Sequence, residues 1–178
     1  MFSVGDTIIY GNQGICKIAG IQDMTVDSNT RPYYVLKPVF ENGSTIYFPV
    51  GNETAEKKMR RILSVEEVYT LIREMSDEDT IWIENESERK ESYRNILTGS
   101  DRSALVKLIK TLYLHEQELK NSGKKLHVSD EKFLKDAEKI LHDELIFVLD
   151  IEREDVLPFI KEQLEINTKK QEEDDGIA

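Results

Sequence analysis

Residues 59–75 read Met59-Arg60-Arg61-Ile62-Leu63-Ser64-Val65-Glu66-Glu67-Val68-Tyr69-Thr70-Leu71-Ile72-Arg73-Glu74-Met75, and the spacing of apolar residues changes at Ser64. Before it, Met59 to Leu63 fits a short strand. From Ser64 on, Val65, Val68, Leu71, Ile72 and Met75 recur at steps of three and four, the period of a helix. Ser64-Val65-Glu66-Glu67 has the form of a capping box: the Ser hydroxyl can accept from the third backbone N–H, and Glu67 can reach back to that of Ser64. The stretch therefore predicts a boundary between two kinds of structure.

Upstream of the boundary the runs are short and rich in β-branched and aromatic residues. Thr7-Ile8-Ile9-Tyr10 is followed by the turn Gly11-Asn12-Gln13-Gly14, and a second run covers Ile15 to Ile21. The cluster Asp27-Ser28-Asn29-Thr30 predicts a turn, Tyr33 to Val39 a third strand, and Asn42-Gly43 a hairpin before a fourth run, Thr45 to Val50. Pro32, Pro38 and Pro49 are placed at the ends of these runs, where a missing N–H is tolerated. Strands of this length and spacing predict a small twisted sheet or barrel.

Downstream, helices are expected over about Ser87 to Thr98, Asp101 to Lys120, Ser129 to Leu149 and Glu152 to Ile166, with a loop from Ser76 to Thr80. Gly99 and Gly123 stand where helices should end, and Ser129 is the expected N-cap of the fourth helix. Pro158 predicts a late or irregular start for the last one. At about 100° per residue, Leu105, Leu108, Ile109, Leu112 and Leu119 share one face of the third helix, with Lys107 and Lys110 on another. Phe133, Leu134, Ala137, Ile140, Leu141, Leu145 and Val148 make the matching stripe on the next. The expected fold class is α+β with two domains: a β domain at 1–63, an all-α domain at 64–166, and an acidic, disordered tail at 167–178.

The 178 residues carry 24 Lys and Arg against 35 Asp and Glu, a net charge of -11, which argues against strong independent binding of nucleic acid. The charge is uneven. Residues 1–65 hold seven basic and six acidic side chains, while residues 66–178 carry a net of -12. Inside that acidic half, residues 89–125 hold nine basic side chains against four acidic ones, a net of +5. Screening acts over about 8 Å at physiological salt, so a local basic face can act within an acidic total.

No apolar run approaches the roughly 18 residues of a membrane span. Met1-Phe2-Ser3-Val4-Gly5-Asp6 has neither the basic nor the apolar region of a secretory leader. The single cysteine, Cys16, cannot form an internal disulfide, so a reducing cytoplasm is the expected location. There is no GxGxxG, phosphate loop, CxxC or HExxH, and His115, His127 and His142 are isolated in sequence. Cys16 lies in an apolar run, where a buried, inert thiol is expected. The chain is read as a non-enzyme with no cofactor, no metal and no small-molecule substrate.

What remains points to recognition. The β module has sheet edges that can accept another strand. Trp82, the lone tryptophan, stands at a loop-to-helix junction beside Arg89, Lys90 and Arg94, with Arg102, Lys107 and Lys110 further along the basic segment. Two readings of Trp82 stand side by side: a plug between helices, or an apolar wedge at a nucleic-acid junction.

The opening Phe2-Ser3-Val4-Gly5-Asp6-Thr7-Ile8-Ile9-Tyr10, with its glycine turn and Ile15, resembles that of the CarD/CdnL transcription regulators. Tyr33-Tyr34-Val35-Leu36, Pro49-Val50 and Met59-Arg60 fit the same pattern. So do Trp82, Arg89, Tyr93, Leu97-Thr98-Gly99-Ser100-Asp101, the stretch from Lys124-Lys125 to Ala137, and Leu141-His142-Asp143-Glu144-Leu145. The likeness spans residues 2–149.

The resemblance implies a Tudor/SH3-like barrel that binds the β subunit of bacterial RNA polymerase, a module also found in transcription-repair coupling factors. It implies a helical domain lying on promoter DNA at the upstream edge of the melted bubble, where it modulates open-complex stability. Trp82 would enter the minor groove there, with Arg89, Lys90, Arg94, Arg102, Lys107 and Lys110 on the DNA side. Tyr34, Tyr47, Phe48 and Pro49 would face polymerase. Tyr47 stands where the family often has a basic residue, which implies an aromatic contact. Glu84, Glu86 and Glu88 imply weak DNA binding alone, with polymerase supplying local concentration. The alternative is an adaptor of the transcription machinery without direct DNA contact.

Overall fold

The computed structural model describes residues 2–40, 44–77 and 79–164. The expected Asn42-Gly43 hairpin and the tail at 167–178 lie outside them. The chain divides into two units. One takes in the residues up to Ile62 together with Asn95–Ser100; the other runs from Leu63 to Arg94 and resumes at Asp101.

The first unit is built on five antiparallel strands: β1 (Thr7–Tyr10), β2 (Ile15–Val26), β3 (Asn29–Pro38), β4 (Ile46–Pro49) and β5 (Met59–Arg61). A one-turn helix, α1 (Glu53–Glu56), precedes β5. The spatial order is β4-β3-β2-β1-β5, so β4 and β5 are the edges of an open sheet. The expected barrel is corrected to this open sheet: the two edge strands have only four and three residues, and they pair inward alone.

Register places Ile8 opposite Cys16, Ile18 opposite Leu36, and Tyr34 opposite Phe48. These six residues and Met59 form the core of the sheet unit, with Phe2, Tyr10, Ile46 and Val50 packed against it. A slip of one residue would turn the set to solvent, so burial and register specify each other. Cys16 is buried inside this core.

Strands β2 and β3 run further than their hydrophobic patterns suggest. Val26 pairs with Asn29, leaving Asp27 and Ser28 as a two-residue turn with φ of 50° and 65°. Both values are positive, as a type I′ hairpin requires. Pro32 is therefore inside β3, opposite Asp23, and not at a strand end. The position is tolerated at the end of the β3–β4 ladder: the last register pair is Tyr33 with Pro49, and beyond it Val50 N donates to the Pro32 carbonyl at 3.0 Å.

The second unit contains α2 (Val65–Glu74), α3 (Glu86–Thr98) as far as Arg94, α4 (Arg102–Asn121) and α5 (Val128–Leu149). After α5, a 3-10 turn at Arg153–Asp155 leads into helical residues at 156–164. Pro158 falls in the first turn of that segment, the position it tolerates. Among the described residues no helix is long and apolar enough to cross a membrane.

The capping box at α2 forms as read: Glu67 N donates to the Ser64 hydroxyl at 3.2 Å, and Ser64 N to the Glu67 carboxylate at 2.8 Å. Val68 and Ile72 are buried, but Val65 is 43% exposed at the first position of the helix. Asp101 caps α4 by accepting from Ala104 N at 3.2 Å. Gly123, with φ of 70°, closes α4: its N–H reaches the Lys120 carbonyl, and that of Lys124 reaches Leu119. Gly99 serves differently, since a Cβ there would lie 2.9 Å from the Asn95 carbonyl oxygen.

The N-cap of α5 is His127 in place of Ser129. Its Nδ1 accepts from Ser129 N at 3.3 Å and lies 2.8 Å from the Ser129 hydroxyl. The helix thus begins one residue early. Helices α4 and α5 pack through Leu105, Leu108, Leu112, Leu134, Ala137, Ile140, Leu141 and Leu145, all buried. Three acids of α5, Asp130, Asp143 and Glu144, are buried as well, which the apolar stripe does not foretell.

Candidate functional site

The loop at 79–85 joins α2 to α3 and is pinned to α4. Ile81 N donates to the Thr111 hydroxyl at 2.8 Å, and that hydroxyl donates in turn to the Lys107 carbonyl at 2.6 Å. Residues four apart on a helix share a face, so this anchor sets Trp82 beside His115. Their ring centroids lie 3.9 Å apart at 31°. The Arg89 guanidinium lies over the indole, 4.5 Å from its centroid, and Trp82 Nε1 donates to Glu84 at 3.0 Å. Trp82 itself is half-buried. It is neither a core plug nor a free side chain: three partners hold it while part of the indole meets solvent. Thr80, Trp82, Glu84, Thr111, Leu114, His115 and Glu118 line a cleft of about 300 Å³ around it.

Arg89 is the residue whose placement departs most from expectation. It is 6% exposed, and Asp130, its partner on α5, is 2% exposed. Arg89 Nε and Nη2 donate to the two Asp130 oxygens at 3.2 and 3.0 Å. Nη1 donates to the Ile83 and Glu84 carbonyls at 2.8 and 3.2 Å. The Asp130 carboxylate holds the guanidinium pKa above its ordinary value despite burial. A side chain so enclosed leaves no face for a phosphate. Arg89 instead builds the loop that presents Trp82.

The other basic candidates are divided in use. Lys90 pairs with Glu86 one turn back on α3, and Arg94 is exposed on the same helix. Arg102 binds Glu144 through two bonds, 3.0 Å from Nε and 2.5 Å from Nη2. Lys110 Nζ donates to the Ser76 carbonyl at 2.7 Å, and Lys107 is half-exposed on α4. The separate basic face expected on α4 is therefore partly tied into the fold.

In the sheet unit, Tyr34 and Phe48 belong to the core. Their rings stack with centroids 6.0 Å apart, and the Tyr34 hydroxyl donates to the Phe2 carbonyl at 3.2 Å. Burial chiefly raises the Tyr34 pKa. Neither ring is placed to meet a partner. Tyr47 is 46% exposed on the edge strand β4, across from Val35, and Pro49 is half-buried at its end.

Residues 2–63 match the family model described as CarD-like/TRCF RID domain, and residues 67–161 match that of the CarD C-terminal domain. The chain belongs to the CarD family. It is thereby an RNA polymerase-interacting transcription factor from a family that is non-enzymatic. The two CarD matches meet at residues 63–67, where the Ser64 capping box starts α2.

Within the C-terminal CarD match, Tyr93 lies beneath the site. It is fully buried, meets Phe133 edge-on at 5.6 Å, and its hydroxyl has no hydrogen-bond partner among the described residues. Burial pushes its pKa up to about 12. A folded-state value above the ordinary 10 means that this group's contribution is intact below pH 10 and is lost as pH rises towards 12. Tyr93→Phe removes both an unpaired buried hydroxyl, whose burial costs about 1–3 kcal/mol, and this titration. Urea unfolding should show the variant more stable at pH 7 by about 1 kcal/mol, with a smaller loss between pH 10 and 12. A less stable variant at pH 7 would contradict the unpaired hydroxyl.

Sequence reasoning missed His115, Thr111, Glu84 and Asp130 as members of the site. Local spacing gives no sign of them: Thr111 is 30 residues from Ile81, and Asp130 is 41 from Arg89. The one available signal was the i, i+4 step from Thr111 to His115 on α4.

Proposed function

We propose that residues 1–63, a Tudor/SH3-like module, bind the β subunit of RNA polymerase, and that residues 64–166 contact promoter DNA at the upstream edge of the melted bubble. The outcome is a changed open-complex lifetime, achieved in the cytoplasm without catalysis, cofactor or small-molecule substrate. The observation that carries this reading is the held, half-buried indole of Trp82 on the helical unit. Wedging between base steps costs a few kcal/mol of unstacking, which favours a rigid apolar group over a mobile one. Lys90, Arg94, Lys107 and Lys110 are the proposed phosphate contacts, with Arg89 and Arg102 as their scaffold. Tyr47 and Pro49 are the proposed polymerase contacts, at the open edge of β4.

The net charge of -11 opposes DNA binding alone. Tethering to polymerase offsets this by raising the local concentration to the millimolar range. The internal pairing of Arg89 and Arg102 favours the second reading, an adaptor without DNA contact.

Trp82→Ala should still co-purify with polymerase β fragments but shorten the open-complex half-life about ten-fold, equivalent to about 1.4 kcal/mol. Crosslinkers placed at Lys90 and Arg94 in the polymerase complex should reach promoter DNA. An unchanged half-life in Trp82→Ala together with no crosslink overturns DNA contact and leaves the adaptor. If Trp82→Ala loses its helical signal, Trp82→Phe and the crosslinks decide instead.

A further inference from the structure

We infer that His115 is a positioning residue for Trp82: its ring stacks on the indole and fixes the orientation in which the indole meets DNA. The inference rests on the reading of Trp82 as a DNA contact. His115 sits on α4, one turn after Thr111, the residue that anchors the loop. The rings approach to 3.9 Å between centroids, a tilted stack of full contact. The loop backbone is held separately, by Thr111 at Ile81 and by Arg89 at Ile83 and Glu84. Anchoring the backbone on both sides of Trp82 still leaves the rotation of its own side chain open. That rotation is restricted by the three groups that touch the indole: Glu84 at Nε1, and Arg89 and His115 at the rings. Arg89 also has a structural duty with Asp130, and Glu84 holds a single atom. His115 is the partner that contributes an extended flat surface.

The charges around the imidazole come from each element near it. Glu118 lies on its own helix, 3.7 Å from Nδ1. Glu84 stands on the loop in the same cleft, and Arg89 of α3 lies over the same indole.

Trp82 is the only tryptophan, so indole emission from the full chain reports on the surroundings of this one side chain. His115→Ala should change the intensity and wavelength of the indole emission and shorten the open-complex half-life about three- to ten-fold, the range expected for one aromatic stack. His115→Phe keeps a flat ring against the indole and should restore the half-life. A purely structural role would move melting temperature and half-life together in both variants.

Trp82→Ala is measured alongside. If it shortens the half-life and His115→Ala does not, positioning by His115 is wrong while DNA contact stands. If Trp82→Ala has no effect, both fail. An indole emission that is unchanged in His115→Ala refutes the stack itself.

Discussion

Asp130→Ala is expected to destabilise the helical unit by about 3–5 kcal/mol, because it strands the Arg89 guanidinium in a site where 6% of the residue is exposed. A typical domain has only about 5–15 kcal/mol to lose. Two of the four hydrogen bonds of Arg89 go to Asp130. The converse variant, Arg89→Met with Asp130→Leu, should recover much of the loss, since apolar replacement of a buried pair is often neutral or stabilising. Urea unfolding followed by helical circular dichroism measures both. A loss under about 1 kcal/mol for Asp130→Ala would mean that the pair behaves as a surface bridge. The consequence also reaches the site. Arg89 holds the carbonyls of residues 83 and 84 and lies over the indole, so Asp130→Asn should alter Trp82 emission even where the fold survives.

This pair also shows where the sequence stopped being informative. Counting charges over residues 89–125 treats each Arg and Lys as a surface group. Arg89 and Arg102 are instead paired with acids on α5, 41 and 42 residues away. Whether a charge is buried depends on what packs over it, and that is a tertiary fact. The aromatic candidates of the sheet divide for a related reason. Tyr34, Phe48 and Tyr47 are all fit for a pleated surface, but only strand register shows that Tyr34 and Phe48 oppose each other inside while Tyr47 faces out.

Local signals fared better. The capping box needs only residues 64 and 67, and both of its bonds form. The helical stripes of α4 and α5 are read from period alone, and their buried residues follow it at Leu105, Leu108, Leu112, Leu134 and Leu141. The closed barrel failed because strand length and spacing do not say whether the two end strands meet. The cap of α5 shifted from Ser129 to His127 because an imidazole nitrogen, like a hydroxyl, can accept a first-turn N–H, here that of Ser129. Trp82 was legible as a lone aromatic at a junction; its three partners were not, because Arg89 and His115 reach it only through the fold.

Glu144→Ala should cost as much as Asp130→Ala, about 3–5 kcal/mol, yet leave the Trp82 site untouched. Glu144 is 0% exposed. It accepts from Arg102 Nε and Nη2 at the start of α4, and from Leu63 N, at 3.0 Å, on the approach to α2. Truncation leaves a part-buried guanidinium and a backbone N–H to find new partners. Glu144→Gln keeps the shape but puts amide hydrogens where Arg102 needs an acceptor, so a loss of about 1.5–3 kcal/mol is expected. None of these groups touches Trp82, His115, Arg89 or Glu84. Glu144→Gln should therefore lower the urea midpoint with indole emission unchanged, whereas Asp130→Asn changes both. Equal stability of Glu144→Gln and the parent chain would show that charge contributes nothing to this contact. A shift in emission would show that the two buried pairs are coupled through the α4–α5 packing.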